Sequence, residues 1–215
     1  VIGPAVVTPP PTQPLAILSR ATRAHARPER SAPVVGRVSR RAPITAGPTA
    51  LPVIGRRTDA SGRTWLHVEL PGRPNGHSGW IARTATRTGA TPWALRVRLR
   101  TRTVDAYRGS RRIRRFHAVV GTSSTPTPVG RFFVEENVRL PRSAAGAPFA
   151  LALSARSEVL QEFEGGPGQI ALHGRGNIGG TLGTAASHGC VRLADPAIAW
   201  LARRIVPGTM VTISA

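Results

Sequence analysis

Ser187-His188-Gly189-Cys190-Val191-Arg192 holds the chain's one cysteine, and seventeen positions before that cysteine Ile170-Ala171-Leu172-His173-Gly174 closes an apolar run on a histidine and a glycine. An apolar run that ends on a polar residue and Gly reads as a buried strand whose end opens at a surface. A thiol is a useful nucleophile only as thiolate, so a reactive cysteine needs a base or a positive group within hydrogen-bond reach, and that base needs something to orient it. From the residues alone, His173 and His188 both qualify as the base. Gly189 has no side chain, so a substrate carbonyl can approach the backbone there, and the N–H groups around Gly189 and Cys190 can face a developing oxyanion.

Two plainer readings of Cys190 compete with this one. A zinc centre would join it to His173 and His188, but no second cysteine or paired ligand spacing accompanies them, and no metal is expected. An inert core thiol is disfavoured by the polar, Gly-rich surroundings. With one cysteine in 215 residues, no intramolecular disulfide forms.

Working outward, Leu95, Val97 and Leu99 alternate with Arg96, Arg98 and Arg100, the period of a strand with one buried face. Val104 to Tyr107, a turn at Arg108-Gly109-Ser110, and Ile113 to Val120 predict a hairpin. Further strands are expected at Arg131 to Glu135, Ala150 to Leu153, Ile170 to His173 and Met210 to Ile213. The clearest helix starts at Asp195, read as N-cap, with Pro196 in its first turn and Ile198, Leu201, Ala202 and Ile205 on one side. Pro207-Gly208 ends it.

Upstream, residues 1–30 carry Pro4, Pro9, Pro10, Pro11, Pro14 and Pro28 with no sustained period, which predicts an extended Pro-rich tether. Short apolar runs around Val34-Val35, Leu51 to Ile54, Trp65 to Val68 and Trp80-Ile81, each bounded by turn residues, predict a small all-β barrel over 31–88. Its Gly62-Arg63-Thr64-Trp65-Leu66-His67-Val68 and Gly79-Trp80-Ile81 resemble bacterial SH3-like modules, which implies that Trp65 and Trp80 are packing residues. Thr84 to Pro92 reads as a linker. The fold class is therefore mainly β with few helices.

A net charge of +20 raises the question of nucleic acid. All 30 basic residues are Arg, and abundant Ala, Gly and Pro accompany them, a composition that follows from GC-rich coding. No basic helix, zinc-finger spacing or aromatic RNA-binding motif is present, so no nucleic acid is expected, and anionic wall polymers are the partners the charge would favour. No stretch has the roughly 18 apolar residues of a membrane helix. A signal peptide or anchor would lie upstream of Val1.

Three motifs in order, Gly121-Thr122-Ser123-Ser124-Thr125-Pro126-Thr127-Pro128-Val129-Gly130, then His173-Gly174, then Ser187 to Arg192, resemble the L,D-transpeptidase catalytic domain, also called the YkuD domain. The resemblance covers residues 94–215 and implies a β-sandwich-like fold. It implies that Cys190 is the nucleophile and His173 the base, oriented by the carbonyl of Gly174. Ser187, His188 and Gly189 would shape the nucleophile loop and oxyanion site. Arg192 would brace the loop or hold a substrate carboxylate, and the Thr-Pro-Thr-Pro stretch is read as a rigid turn without a catalytic role.

The implied activity is formation of cross-links between peptidoglycan stem peptides, a donor tetrapeptide and an acceptor amine, through a Cys thioester without a cofactor. Alternatives are an L,D-carboxypeptidase using the same thioester and a non-catalytic wall-binding protein. The resemblance further implies an extracytoplasmic location and acylation of Cys190 by carbapenems.

Overall fold

In the computed structural model, residues 11–162 and 166–215 are described. Seven strands build a first sheet: β1 (Gln13–Leu18), β2 (Thr22–His25), β3 (Val34–Val38), β4 (Ala50–Thr58), β5 (Thr64–Glu69), β6 (Ser78–Ala82) and β7 (Thr86–Thr91). Their order is β3-β2-β6-β5-β4-β1-β7, with every neighbour antiparallel. Ala16, Leu18, Leu51, Leu66, Val68 and Ile81 form its core. Trp65 is buried, with its indole N–H donating to Asp59 Oδ2 at 2.8 Å, whereas Trp80 is half-buried and stacks on His67 at 4.6 Å.

Two expectations change here. The tether predicted over 1–30 does not describe 11–30, which contain β1 and β2; residues 1–10 lie outside the described residues. Of the prolines that suggested a tether, Pro11 and Pro14 sit at the start of β1, where it pairs with β7 only and pairing with β4 begins at Leu15, and Pro28 lies between β2 and β3. The linker predicted over Thr84 to Pro92 is a short 3-10 turn (Arg83–Ala85) followed by β7. That strand shows no apolar period because its buried positions are Thr86 and Thr91, and at Gly89 a Cβ would lie 2.7 Å from Ile17 Cδ1. The first unit thus runs to Thr91.

The second sheet holds β8 (Trp93–Arg98), β9 (Thr103–Arg108), β10 (Arg111–Gly121), β11 (Gly130–Arg139), β12 (Phe149–Arg156), β13 (Gln169–His173), β14 (Ala185–Ser187), β15 (Val191–Leu193) and β16 (Met210–Ser214). The order is β14-β10-β15-β13-β12-β11-β16-β8-β9, and β9 pairs back onto β10, which closes the ring. Two long strands make the closure. β10 pairs with β9 over its first half and with β15 from Ala118, while β11 pairs with β16 up to Phe133 and with β12 from Val134. The result is two layers sharing β10 and β11, with Leu95, Val97, Val104, Leu151, Leu172 and Val191 in one core.

One α-helix, α1 (Asp195–Ala202), occurs among the described residues, and it packs on β12 and β13. Ala194 rather than Asp195 is its N-cap residue. The Asp195 carboxylate instead accepts the Arg175 N–H at 2.8 Å. Asn137 closes the other end, its Nδ2 donating to the carbonyls of Ala202 at 2.7 Å and Ile205 at 3.1 Å.

The two sheets are joined through β11. Phe133 leaves the second unit to complete the core of the first. Glu136 is 1% exposed, and its carboxylate accepts the N–H groups of Ile44 at 3.0 Å and Thr45 at 2.6 Å and the Thr45 hydroxyl at 2.7 Å. A buried carboxylate is stable only when its oxygens are met in this way.

Candidate active site

β13 and β15 run parallel, with Leu172 opposite Val191 and His173 opposite Arg192. This register brings the residue that ends β13 and the residue that precedes β15 to one surface. His173 and Cys190 line the same cleft of about 60 Å³, together with His188 and Arg192. The thiol is partly accessible and lies 3.9 Å from the Gln169 carbonyl.

His173 Nδ1 is 2.8 Å from the Gly174 carbonyl. A carbonyl oxygen can only accept, so Nδ1 carries a proton, which in the neutral imidazole leaves the lone pair on Nε2. Gly174 is held tightly in turn: its N–H donates to the Gly146 carbonyl at 2.8 Å, and a Cβ there would lie 2.0 Å from Ala147 O. No larger residue fits at position 174.

The nucleophile loop is cross-braced. Ser187 is buried, and its hydroxyl donates to Cys190 O at 2.5 Å while accepting the Gly189 N–H at 3.2 Å. Gly189 has φ +115°, a left-handed conformation that a side chain would strain. Its N–H donates into the loop, to the Ser187 hydroxyl. His188 is exposed at the rim of the cleft. Arg192 is 9% exposed, and its Nε is buried without a hydrogen-bond partner.

Sequence reasoning missed three residues that shape this site. Thr127, read as part of a simple turn, accepts the Gly121 N–H at 2.9 Å and donates to Gly189 O at 2.8 Å. Thr125 Oγ1 donates to Ser187 O at 3.2 Å, and the Thr122 N–H reaches the same carbonyl at 3.1 Å. The Thr-Pro-Thr-Pro stretch is thus the outer brace of the Ser187 to Cys190 loop. Gly146 packs flat against the imidazole, where a Cβ would lie 2.5 Å from His173 Nδ1. The position of the two threonines beside a strand end offered a signal, but a lone Gly146 in a loop offered none.

Among the described residues, no three of His, Cys, Asp and Glu come together in a group that could hold a metal ion. The arrangement offers a thiol, a base of fixed tautomer, and a guanidinium in one small cleft, a set suited to acyl transfer.

Residues 92–213 match the family model of the L,D-transpeptidase catalytic domain. The YkuD proteins of Bacillus subtilis and Bacillus licheniformis are each 28% identical to this chain over 123 residues, 57% of this chain and 66% of theirs. The chain thus spans just under two thirds of the length of these relatives. The crystal structure of L,D-transpeptidase 3 from Mycobacterium tuberculosis, which carries a faropenem-derived adduct, is similar with a TM-score of 0.50 and 11% identity, covering 93% of this chain and 97% of that one. That likeness is one of fold.

Proposed function

Since the chain belongs to the L,D-transpeptidase catalytic-domain family, we propose that it cross-links peptidoglycan stem peptides through a thioester on Cys190. The observation that carries this reading is the fixed tautomer of His173 in the cleft of the chain's one thiol. His173 Nε2 takes the thiol proton, and the thiolate attacks the carbonyl that joins the third residue of a tetrapeptide stem to its terminal D-Ala. Collapse of the tetrahedral adduct breaks that amide, and the proton passes from His173 to the departing D-Ala amine. An amine of a second stem then attacks the thioester, returns a proton through His173, and frees the thiol. The energy of the old amide supplies the new one, so the cycle calls for no nucleotide.

Arg192, which lines the cleft wall, is the candidate fork for the donor's terminal carboxylate. Such a substrate places the reaction outside the cytoplasm. We read the first unit as an SH3-like companion module. Exposed Arg108, Arg111 and Arg114 on the β9–β10 hairpin give anionic wall polymers a basic surface to meet.

The test is Cys190→Ala with a purified stem tetrapeptide, products weighed by mass spectrometry. Wild type should give a cross-linked dimer and the variant none, with folding unchanged. Cross-linking retained by Cys190→Ala ends the proposal, and a trimmed tripeptide in place of the dimer makes the protein a carboxypeptidase. Exposure to a carbapenem should add one drug mass to wild type and nothing to the variant.

A further inference from the structure

One wall of the cleft is made by Ser157, Leu160 and Gly168, in the segment that joins β12 to β13. The grip on that segment comes from the other unit. Arg73, in the loop between β5 and β6, donates from Nη1 to Pro167 O at 3.0 Å and from Nη2 to Ser157 O at 2.8 Å and Leu160 O at 3.4 Å. One guanidinium therefore gathers carbonyls from both ends of the segment. Two residues on, Asn75 pairs with the Arg156 backbone in both directions: its Nδ2 donates to Arg156 O, and its Oδ1 accepts the Arg156 N–H, each at 2.8 Å. The Gly72 N–H adds a bond to Ser154 O at 3.3 Å.

Beyond the clamp, the cleft edge is completed by groups of the second unit alone. The Arg156 guanidinium donates to Glu135 Oε1 at 2.8 Å, Gln169 Nε2 donates to the same oxygen at 3.2 Å, and the carbonyl of Gln169 is the one that faces Cys190 Sγ. A surface arginine kept for solubility has no need of three converging backbone carbonyls. The planar fork of a guanidinium meets such a set, whereas an ammonium offers a single point of charge.

We infer that Arg73 and Asn75 of the first unit are positioning residues for the donor-peptide cleft, so that this unit is a working part of the substrate site. The inference rests on the reading of the cleft as a stem-peptide site. A wall ordered in advance spares the substrate the entropy of ordering it on binding. Cys190 and His173 are held by β13 and β15, so the chemistry itself does not depend on the clamp. The signature is consequently a rise in KM at constant kcat.

The experiment uses the full chain and three variants, Arg73→Ala, Asn75→Ala and Arg73→Lys. Steady-state turnover of a stem tetrapeptide is measured beside the rate at which iodoacetamide alkylates Cys190, with circular dichroism and thermal melting as the check on folding. Arg73→Ala should raise KM about tenfold, keep kcat within about twofold and alkylate at the wild-type rate. Asn75→Ala should shift KM in the same direction, and Arg73→Lys should recover part of the loss. A wild-type KM in both alanine variants overturns the inference, as does a parallel fall of kcat, alkylation and melting temperature. A wild-type chain that alkylates normally yet turns over no stem peptide overturns the functional reading itself, and this one with it.

Discussion

Gly146 shows how closely the imidazole is confined. Its φ of +82° is disfavoured for any other residue, and a methyl group there would stand 2.5 Å from His173 Nδ1. Gly146→Ala should push the ring away from the Gly174 carbonyl and loosen the tautomer that leaves Nε2 as base. A displacement of about 1 Å at a reacting group costs on the order of a hundredfold in rate, so kcat/KM for the stem peptide should fall by about that factor. Turnover at the wild-type level would show that the ring finds the same place without help. At this scale the sequence names residue types by their motifs, and the structure brings Cys190 and His173 to one cleft with the Gly174 carbonyl on the imidazole. The sequence was not legible where a residue acts through one atom, as Thr127 Oγ1 does on Gly189 O, or through having no atom at all, as Gly146 does. The Gly189 N–H illustrates a third case, since only the loop's own fold decides whether a backbone group faces the cleft or Ser187.

At the scale of elements, strands with one buried face declared themselves, because alternation such as Leu95-Arg96-Val97-Arg98 survives in any reading. β14 and β15 have three residues each, too few for a period, and β7 buries Thr86 and Thr91 instead of aliphatic side chains. The turn between β4 and β5 is more informative than its sequence suggests. Asp59 Oδ1 accepts the Ser61 hydroxyl at 2.6 Å and the N–H groups of Ser61 and Arg63, while Oδ2 accepts Trp65 Nε1. The Ser61 hydroxyl first and the Trp65 indole second hold the Asp59 carboxyl down at about 2, from an ordinary 3.8. A carboxylate depressed on folding contributes stability that is complete above its unfolded pKa and is lost as the pH falls through the folded one. The melting-temperature gap between wild type and Asp59→Asn should therefore be full at pH 5 and shrink between 3.8 and about 2. A gap that stays constant down to pH 2 would remove this turn from the acid response.

At the scale of the whole molecule, the sequence indicates two β units but not how they meet, since the contacts join residues far apart in the chain. Glu136 holds the Ile44-Thr45 loop at one place, and Arg73 and Asn75 hold the end of β12 at another, with Phe133 buried in the first unit's core. Two separate attachments fix an orientation that either alone would leave as a pivot. While one attachment persists, the other re-forms within the same molecule, at high effective concentration. Glu136→Ala strips the acceptor from two backbone N–H groups and should cost about 2–4 kcal/mol, and Asn75→Ala, which exposes one strand end, about 1–2 kcal/mol. In the double variant only the Arg73 and Gly72 bonds remain to support Phe133 in its pocket, so the combined loss should exceed the sum of the single losses by about 1 kcal/mol or more. Denaturant unfolding of the four proteins closes this cycle. Strict additivity would mean that the units are fixed by Phe133 and its neighbours without the polar clamps, and that the cleft wall owes its place to packing alone.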